Sequence, residues 1–128
     1  MRVRWIVALL AVAWSCAGGG TGVTLDEYSV DAPADAQAGR IEFTVRNTGS
    51  IDHELVILRT ALDPGDLPVK EAEVQTRGPG VELVRETPRI KAGGSRRLVA
   101  RLAEGTYVLI CNVPGHYQSG MRAPFRAL

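Results

Sequence analysis

The chain has 128 residues, a length that fits one domain of ordinary size with enough sequence to bury a core. Apolar residues make up 45% of it and charged residues 23%, the proportions of an ordinary globular domain. The formal net charge is +1 and the basic residues form no cluster, which argues against nucleic acid or a polybasic membrane contact as the partner.

Residues 1–16 have the pattern of a secretion signal. Arg2 and Arg4 precede an apolar run over residues 5–13, which is shorter than the ~20 residues needed for a permanent membrane span. We therefore expect the leader to be removed and the mature protein to lie outside the cytoplasm. Without the leader, 13 basic and 14 acidic side chains remain, giving a net charge of −1.

Two processing routes are open at the end of this leader. Residues 13–16 (Ala-Trp-Ser-Cys) resemble a bacterial lipoprotein signal, in which Cys16 becomes the lipidated first residue. We prefer this route, which anchors the protein to the cell membrane. Ordinary cleavage before Gly18 is the alternative and would give a periplasmic or secreted protein. The Gly-rich residues 17–22 are then a flexible tether, and the folded domain is expected to span residues 23–128.

After the tether the pattern predicts β-strands. Apolar and polar residues alternate over residues 41–45 and again over 98–102, as in half-buried strands. The segments 53–59 and 107–111 are apolar on both faces, which is typical of central strands, and Phe125 lies in a last short strand. Short strands between Gly and Pro turns predict an all-β antiparallel sandwich or barrel.

One segment, residues 62–80, interrupts this pattern. Prolines and glycines bracket residues 69–76, whose charged and polar side chains are compatible with a short helix. We expect a short helical or irregular excursion across the edge of the sandwich.

Four residues of the sequence are potential metal ligands. Four residues separate Cys111 from His116, another four separate His116 from Met121, and His53 is the only other histidine. One thiolate, two imidazoles and a weak axial thioether form the ligand set of a blue-copper site. Pro114 and the loop glycines supply the turns that fold such a loop back on itself. We predict one copper ion per chain, held by these four ligands.

Each of these residues also has an ordinary structural interpretation. Cys111 alone is typical of a buried strand position, Met121 of a core, and a single histidine of a loop or strand end. A disulfide between Cys16 and Cys111 is a further alternative, although it would join a leader residue to a strand end. Oxidising compartments promote disulfide formation, so a single unpaired cysteine is unusual there and needs another role. Metal ligation is such a role.

Residues 91–128 resemble the C-terminal half of the cupredoxins, the plastocyanin- and azurin-like blue-copper proteins. The matching pieces are residues 92–95 (Ala-Gly-Gly-Ser), 104–111 (Glu-Gly-Thr-Tyr-Val-Leu-Ile-Cys), 115–117 (Gly-His-Tyr) and 120–121 (Gly-Met). Upstream, residues 43–49 leading to Asp52-His53-Glu54 are similar to the first-ligand region of that family. The pattern is nearest to that of small bacterial cupredoxin-like proteins. The resemblance implies a Greek-key β-sandwich with copper near one end.

The chain departs from the familiar cupredoxins twice within the ligand loop and once after His53. The gap from Cys111 to His116 is longer than in plastocyanins, and the loop on to Met121 differs from that of azurins. Glu54 follows His53, where both groups commonly have an asparagine that ties the two ligand loops together.

The residue inventory argues against an enzyme. Both histidines are assigned to the copper, so none remains for a second copper centre or for a general base. Two functions remain: a one-electron carrier in the cell envelope, or copper delivery, storage or sensing. We favour the carrier, because copper-delivery proteins often multiply Met and His, whereas Met1 and Met121 are the only methionines of this chain.

The resemblance also implies that electrons pass through His116, since the corresponding imidazole edge reaches the surface in cupredoxins. Val113, Pro114 and Tyr117 would form a small apolar patch around it, on which redox proteins of the cell envelope dock. The alternative is that Val113 and Tyr117 pack beneath the loop. We expect a monomer, with no nucleic acid partner and membrane contact only through the lipid anchor.

Overall fold

Two β-sheets enclose the main core of the protein, as a computed structural model of residues 20–128 shows. The strands in chain order are β1 (Thr21–Asp26), β2 (Ser29–Asp31), β3 (Asp35–Ala36), β4 (Gly39–Asn47), β5 (Val56–Arg59), β6 (Val69–Lys70), β7 (Glu73–Val74), β8 (Glu82–Glu86), β9 (Ser95–Leu102), β10 (Gly105–Ile110) and β11 (Arg122–Ala127). The first sheet has the order β2-β1-β4-β9 and the second the order β3-β11-β10-β5-β8.

The predicted β-sandwich is confirmed, with one difference in strand direction. Most neighbouring strands are antiparallel, but β1 runs parallel to β4 and β3 runs parallel to β11. Both sheets are therefore mixed. Within residues 20–128 no helix is long and apolar enough to cross a membrane.

The start of the domain differs from the predicted boundary. β1 begins at Thr21, two residues before the expected start at Val23, because Thr21 is buried and pairs with Phe43 of β4. Residues 21–22 therefore belong to the sandwich and not to the tether. The predicted signal sequence, including Cys16, and the first part of the tether lie outside the described residues.

The two strands predicted to be apolar on both faces are central in the second sheet, where β5 and β10 are neighbours. Successive side chains of a strand point to opposite faces. One face of these strands contributes Ile57, Tyr107 and Leu109 to the core between the sheets, together with Leu55 before β5 and Cys111 after β10. The other face contributes Val56, Leu58, Val108 and Ile110 to a second cluster, which also contains Leu67, Val74 and Tyr117. The outer face is thus covered by residues of the 62–80 excursion.

Of the two forms predicted for residues 62–80, the helical one is wrong. The segment is irregular and contains a short hairpin, in which Val69 pairs with Val74 and Lys70 pairs with Glu73. The two turn residues, Glu71 and Ala72, have φ values of 53° and 68°, as a two-residue hairpin turn of the primed type requires. An isolated helix of so few residues would be marginal, whereas this arrangement buries Val74 against the second sheet.

Asn47, at the end of β4, links the turn that follows it to the strand region near Ile90. Its side-chain amide donates to the carbonyl oxygens of Ile51 and Ile90, both at 2.8 Å. Its side-chain oxygen Oδ1 accepts the N–H of Gly49 at 2.9 Å. Ile90 in turn forms a β-bridge with His53, so these bonds fix the backbone that carries the first predicted ligand.

We predict that Asn47→Ala lowers the free energy of unfolding of the metal-free protein by about 1–3 kcal/mol, because buried polar groups lose their partners. Urea denaturation followed by fluorescence measures this change. Gln118→Ala removes an exposed amide and should change the free energy by less than about 0.5 kcal/mol. Equal stability of the two variants would contradict the role assigned to Asn47.

Candidate metal centre

Three of the four predicted ligands meet at one end of the sandwich. The Nδ1 atoms of His53 and His116 are 3.2 Å apart. The Sγ atom of Cys111 lies 3.8 Å from His53 Nδ1 and 3.5 Å from His116 Nδ1. These atoms form a compact triangle, and all three residues are buried. Residues separated by 58 positions in the chain are thus brought together as the motif predicts.

His53 is placed by backbone pairing with the strand region that precedes β9. Its N–H donates to the carbonyl oxygen of Ile90 at 3.1 Å, and its carbonyl oxygen accepts the N–H of Ile90 at 2.7 Å. Two residues on, Leu55 exchanges hydrogen bonds with Thr87. The first ligand therefore lies on a paired segment and not on a free loop.

Cys111 and Met121 are placed by the pairing of β10 with β11. This antiparallel ladder is extended by a bond from the Cys111 N–H to the Met121 carbonyl oxygen at 3.1 Å. The Met121 N–H donates to the carbonyl oxygen of His116, also at 3.1 Å. Met121 is completely buried. Its backbone thus closes the loop on which Cys111 and His116 lie.

The loop between Cys111 and Met121 turns at two glycines with positive φ. Gly115 has a φ of 82° and Gly120 a φ of 120°, backbone angles that residues other than glycine rarely adopt. A Cβ atom at Gly120 would also lie 3.1 Å from the carbonyl oxygen of Tyr28. These turns fold the loop back, as its Pro and Gly content predicts.

The excursion of residues 62–80 is bonded directly to this loop. The side chain of Asn112 accepts the N–H of Val74 at 2.7 Å and donates to its carbonyl oxygen at 3.1 Å. The Gly115 N–H donates to the carbonyl oxygen of Ala72 at 2.9 Å. The hairpin of β6 and β7 therefore holds the ligand loop from outside.

Tyr117 makes a second connection between the ligand loop and the excursion. Its hydroxyl group donates to the carbonyl oxygen of Pro64 at 2.6 Å and accepts the N–H of Leu67 at 3.1 Å. The side chain is only 3% exposed. Of the two interpretations offered by the sequence, the structure therefore favours packing beneath the loop for Tyr117, and Tyr117 is not part of a surface patch.

The remaining residues of the predicted patch differ in exposure. Pro114 is exposed, Val113 is half-buried against the main core, and His116 is only 8% exposed. The ring of Tyr28 packs edge-on against the His116 ring, with 5.3 Å between the centroids, and Tyr28 is 46% exposed. An aromatic residue far from the motif in sequence thus covers this ligand.

Glu54, which replaces the asparagine common in cupredoxins, contributes through its backbone. Its N–H donates to Cys111 Sγ at 3.4 Å. The tie between the two ligand segments therefore does not need the asparagine side chain. Burial raises the pKa of the Glu54 carboxyl group, while the charge of Arg89 acts in the opposite direction.

Electrostatics favour uncharged donors in the absence of a cation. Burial raises the pKa of the Cys111 thiol, against the opposing effect of the Glu54 N–H. Burial and the neighbouring His53 lower the pKa of His116. A metal that binds here as a cation must displace the thiol proton, so metal binding is linked to proton release.

Glu27, in the turn between β1 and β2, was not expected at the site. Its Oε1 atom lies 2.9 Å from His53 Nε2. Desolvation acts to raise the pKa of this carboxyl group, but hydrogen bonds from the Ser50 N–H, His53 and the Ile51 N–H outweigh it and leave the pKa lowered to about 2. Glu27 and Tyr28 precede the motif by many residues, and no local pattern in the sequence marks them.

The donor triangle fits a first-row transition metal. The point equidistant from its three atoms lies about 2 Å from each, close to the ~2.0–2.3 Å bonds that a metal such as zinc forms with imidazole and thiolate. Two imidazoles and one thiolate in a plane, with a methionine on the same loop, are the donor set of a type 1 copper site. Copper is thus the cofactor that this site suits.

We predict that Tyr117→Phe accelerates copper loss to a chelator and lowers the free energy of unfolding by about 1–3 kcal/mol, because Pro64 and Leu67 lose their buried partner. Tyr107→Phe is the matched control, since the Tyr107 hydroxyl group donates only to Ala103 at the opposite end of β10. Copper release at the parent rate from both variants would contradict a role of the excursion in holding the loop.

Solved structures similar to this chain share its fold. An auracyanin from the photosynthetic bacterium Roseiflexus castenholzii is 24% identical, with 84% of this chain and 94% of that one covered and a TM-score of 0.62. Auracyanin A, a "blue" copper protein from Chloroflexus aurantiacus, is 16% identical, with 86% and 100% covered and a TM-score of 0.57. Rusticyanin from Thiobacillus ferrooxidans is 20% identical, with 84% and 76% covered and a TM-score of 0.61.

A comparison with curated proteins gives no match. The family model of the sulfocyanin (SoxE) domain matches residues 19–126, nearly the whole described part of the chain. The resemblance to cupredoxins is thereby confirmed, and the chain belongs to the sulfocyanin (SoxE) domain family, whose fold is that of the blue-copper cupredoxins.

Proposed function

We propose that this protein is a type 1 copper protein that carries single electrons between redox proteins outside the cytoplasm. The observation that carries this proposal is the triangle of two imidazole nitrogens and one cysteine sulfur, buried at one end of the sandwich. His53, Cys111 and His116 would hold the copper ion. Met121, buried at the end of the same loop, would supply the weak fourth ligand.

A copper ion held by these residues supplies a one-electron Cu(II)/Cu(I) couple. The soft thiolate of Cys111 favours Cu(I), and the imidazoles accept both oxidation states. The protein must then keep the same ligands in place as the charge changes. The paired backbones at His53 and Cys111, together with the hairpin bonded to the loop, supply that rigidity.

An electron carrier is better supported than an enzyme, because both histidines already belong to the donor triangle. Both histidines of the chain point a nitrogen into the triangle, and burial excludes solvent from the donor atoms. A substrate-activating metal needs an open coordination position. Solved cupredoxins have the same fold, although fold similarity alone is weak support for function.

Copper delivery, storage or sensing is the second candidate. A protein that hands copper to a partner needs ligands that the partner can reach. Here His53 and Cys111 are fully buried, His116 is 8% exposed, and the excursion is bonded to the loop. This burial favours a carrier, which keeps its metal through each cycle.

The proposed location is outside the cytoplasm, on the membrane of a bacterial cell. The signal pattern of residues 1–16 supports export, and Cys16 is the proposed site of lipidation. The Gly-rich segment would let the domain reach partners from a lipid anchor. Within residues 20–128 Cys111 has no disulfide partner, and its burial also suits this compartment, because a buried metal ligand is protected from disulfide exchange.

The proposed electron-exchange surface surrounds His116. Pro114 is exposed beside it and Val113 is half-buried. Tyr28, whose ring contacts His116, takes the place that Tyr117 was expected to fill. A small apolar surface of this kind suits a transient redox complex, which buries less than about 1,200 Å².

We predict that the copper-loaded protein has an intense visible thiolate-to-copper band with one copper per chain, and that Cys111→Ser abolishes it, because a hydroxyl group cannot replace the soft thiolate. Optical spectra with metal analysis test this. A colourless parent protein with full copper content would contradict the carrier and favour copper handling. Strong colour in the serine variant would contradict the thiolate assignment.

We predict that Pro114→Glu slows electron self-exchange between oxidised and reduced copies severalfold, because two carboxylates would face each other in the encounter. The visible spectrum and the reduction potential should stay nearly unchanged. Ala103→Glu places the same charge on an exposed residue at the opposite end of β10, and serves as the control. Magnetic-resonance line broadening in mixed samples gives the rates. Equal self-exchange rates in the two variants would show that the exchange surface does not include Pro114.

A further inference from the structure

Glu27 occupies a position that neither the fold nor the predicted ligand set requires. Three N–H groups converge on its carboxylate from the ligand side of the sandwich. His53 Nε2 lies 2.9 Å from Oε1, and the Ile51 N–H donates to the same atom at 3.1 Å. The Ser50 N–H donates to both carboxylate oxygens, at 2.9 and 3.1 Å. The carboxylate is thus held in place by the turn that leads into His53.

This contact decides which nitrogen of His53 carries the proton. An ionised carboxylate can only accept hydrogen bonds, so His53 Nε2 must be the donor. The other nitrogen, Nδ1, is then free to present its lone pair to the triangle formed with Cys111 and His116. A histidine without this partner could place its proton on either nitrogen.

A carboxylate also affects the histidine electrostatically. Hydrogen bonds to an ionised acceptor are about twice as strong as those to a neutral one. A carboxylate on the distal nitrogen raises the basicity of a metal-bound imidazole. A more basic imidazole stabilises Cu(II) more than Cu(I), because the higher charge gains more from the stronger donor. The expected consequence is a lower reduction potential.

We propose that Glu27 is a positioning residue of the copper site, which fixes the tautomer of His53 and lowers the reduction potential through its charge. The effect on the potential rests on the proposed copper function. The effect on the tautomer does not, because it concerns the metal-free protein.

The experiment compares Glu27→Gln with Glu42→Gln in the copper-loaded protein. Glu42 lies on β4 in an exposed ion pair with Arg97, so the control removes the same charge without contact to the site. Glutamine keeps one acceptor oxygen but loses the negative charge. We expect at least a tenfold loss of affinity for Cu(II) relative to Cu(I), which raises the potential by about 59 mV. The visible band should persist, and Glu42→Gln should leave the potential unchanged.

Two further variants and a second readout keep the tests separate. Glu27→Asp retains the negative charge, so its reduction potential should rise less than that of Glu27→Gln, whereas a purely structural role would change the potential equally in both variants. Nitrogen magnetic resonance of the metal-free protein should show His53 protonated at Nε2 in the parent and in Glu27→Gln, whose side-chain oxygen still accepts a hydrogen bond. Glu27→Ala has no acceptor and should show a mixture of tautomers. An unchanged tautomer in Glu27→Ala together with an unchanged potential in Glu27→Gln would overturn the proposal.

The outcomes distinguish this proposal from the proposed function. If the parent protein lacks the visible band, the function is wrong, and the tautomer measurement alone decides the role of Glu27. If the parent has the band and Glu27→Gln shifts the potential no more than Glu42→Gln does, the function stands and the role of Glu27 in setting the potential is wrong.

Discussion

The site depends on the backbone pairing that brings Cys111 and His53 to the same end of the second sheet. The N–H of Cys111 is bonded to Met121 beyond the end of the β10–β11 ladder, and His53 is paired on both its N–H and carbonyl groups with Ile90. Two of the three corners of the donor triangle are therefore fixed by hydrogen bonds between backbone segments.

The excursion of residues 62–80 adds a second layer of support. It covers the outer face of β5 and β10, and its hairpin and Tyr117 connections hold the ligand loop from outside the sandwich. The β1–β2 turn supports the opposite side, with Glu27 on His53 and Tyr28 on His116. A site held on both sides has little freedom to change its ligand geometry when the metal charge changes, which suits electron transfer more than delivery of the metal.

The sequence predicts what depends on local pattern and leaves out what depends on tertiary contact. Alternation at residues 41–45 and 98–102 predicts strands correctly, and the spacing of Cys111, His116 and Met121 predicts the ligand loop. The short hairpin at residues 69–74 was not predicted, because its charged residues read equally well as a helix and its stability comes from burial of Val74 against another sheet. Glu27 was not predicted, because a single acidic residue in a turn carries no signal until the fold places it beside His53.

The central claim is that the fold holds the copper ligands rigidly, so that their geometry changes little between the two oxidation states. X-ray absorption at the copper edge, recorded on the oxidised and the reduced protein, tests it most directly. The account predicts two nitrogen ligands and one short sulfur ligand in both oxidation states, with nearly the same distances. Loss of a nitrogen ligand on reduction, or the gain of a solvent ligand on oxidation, would contradict it.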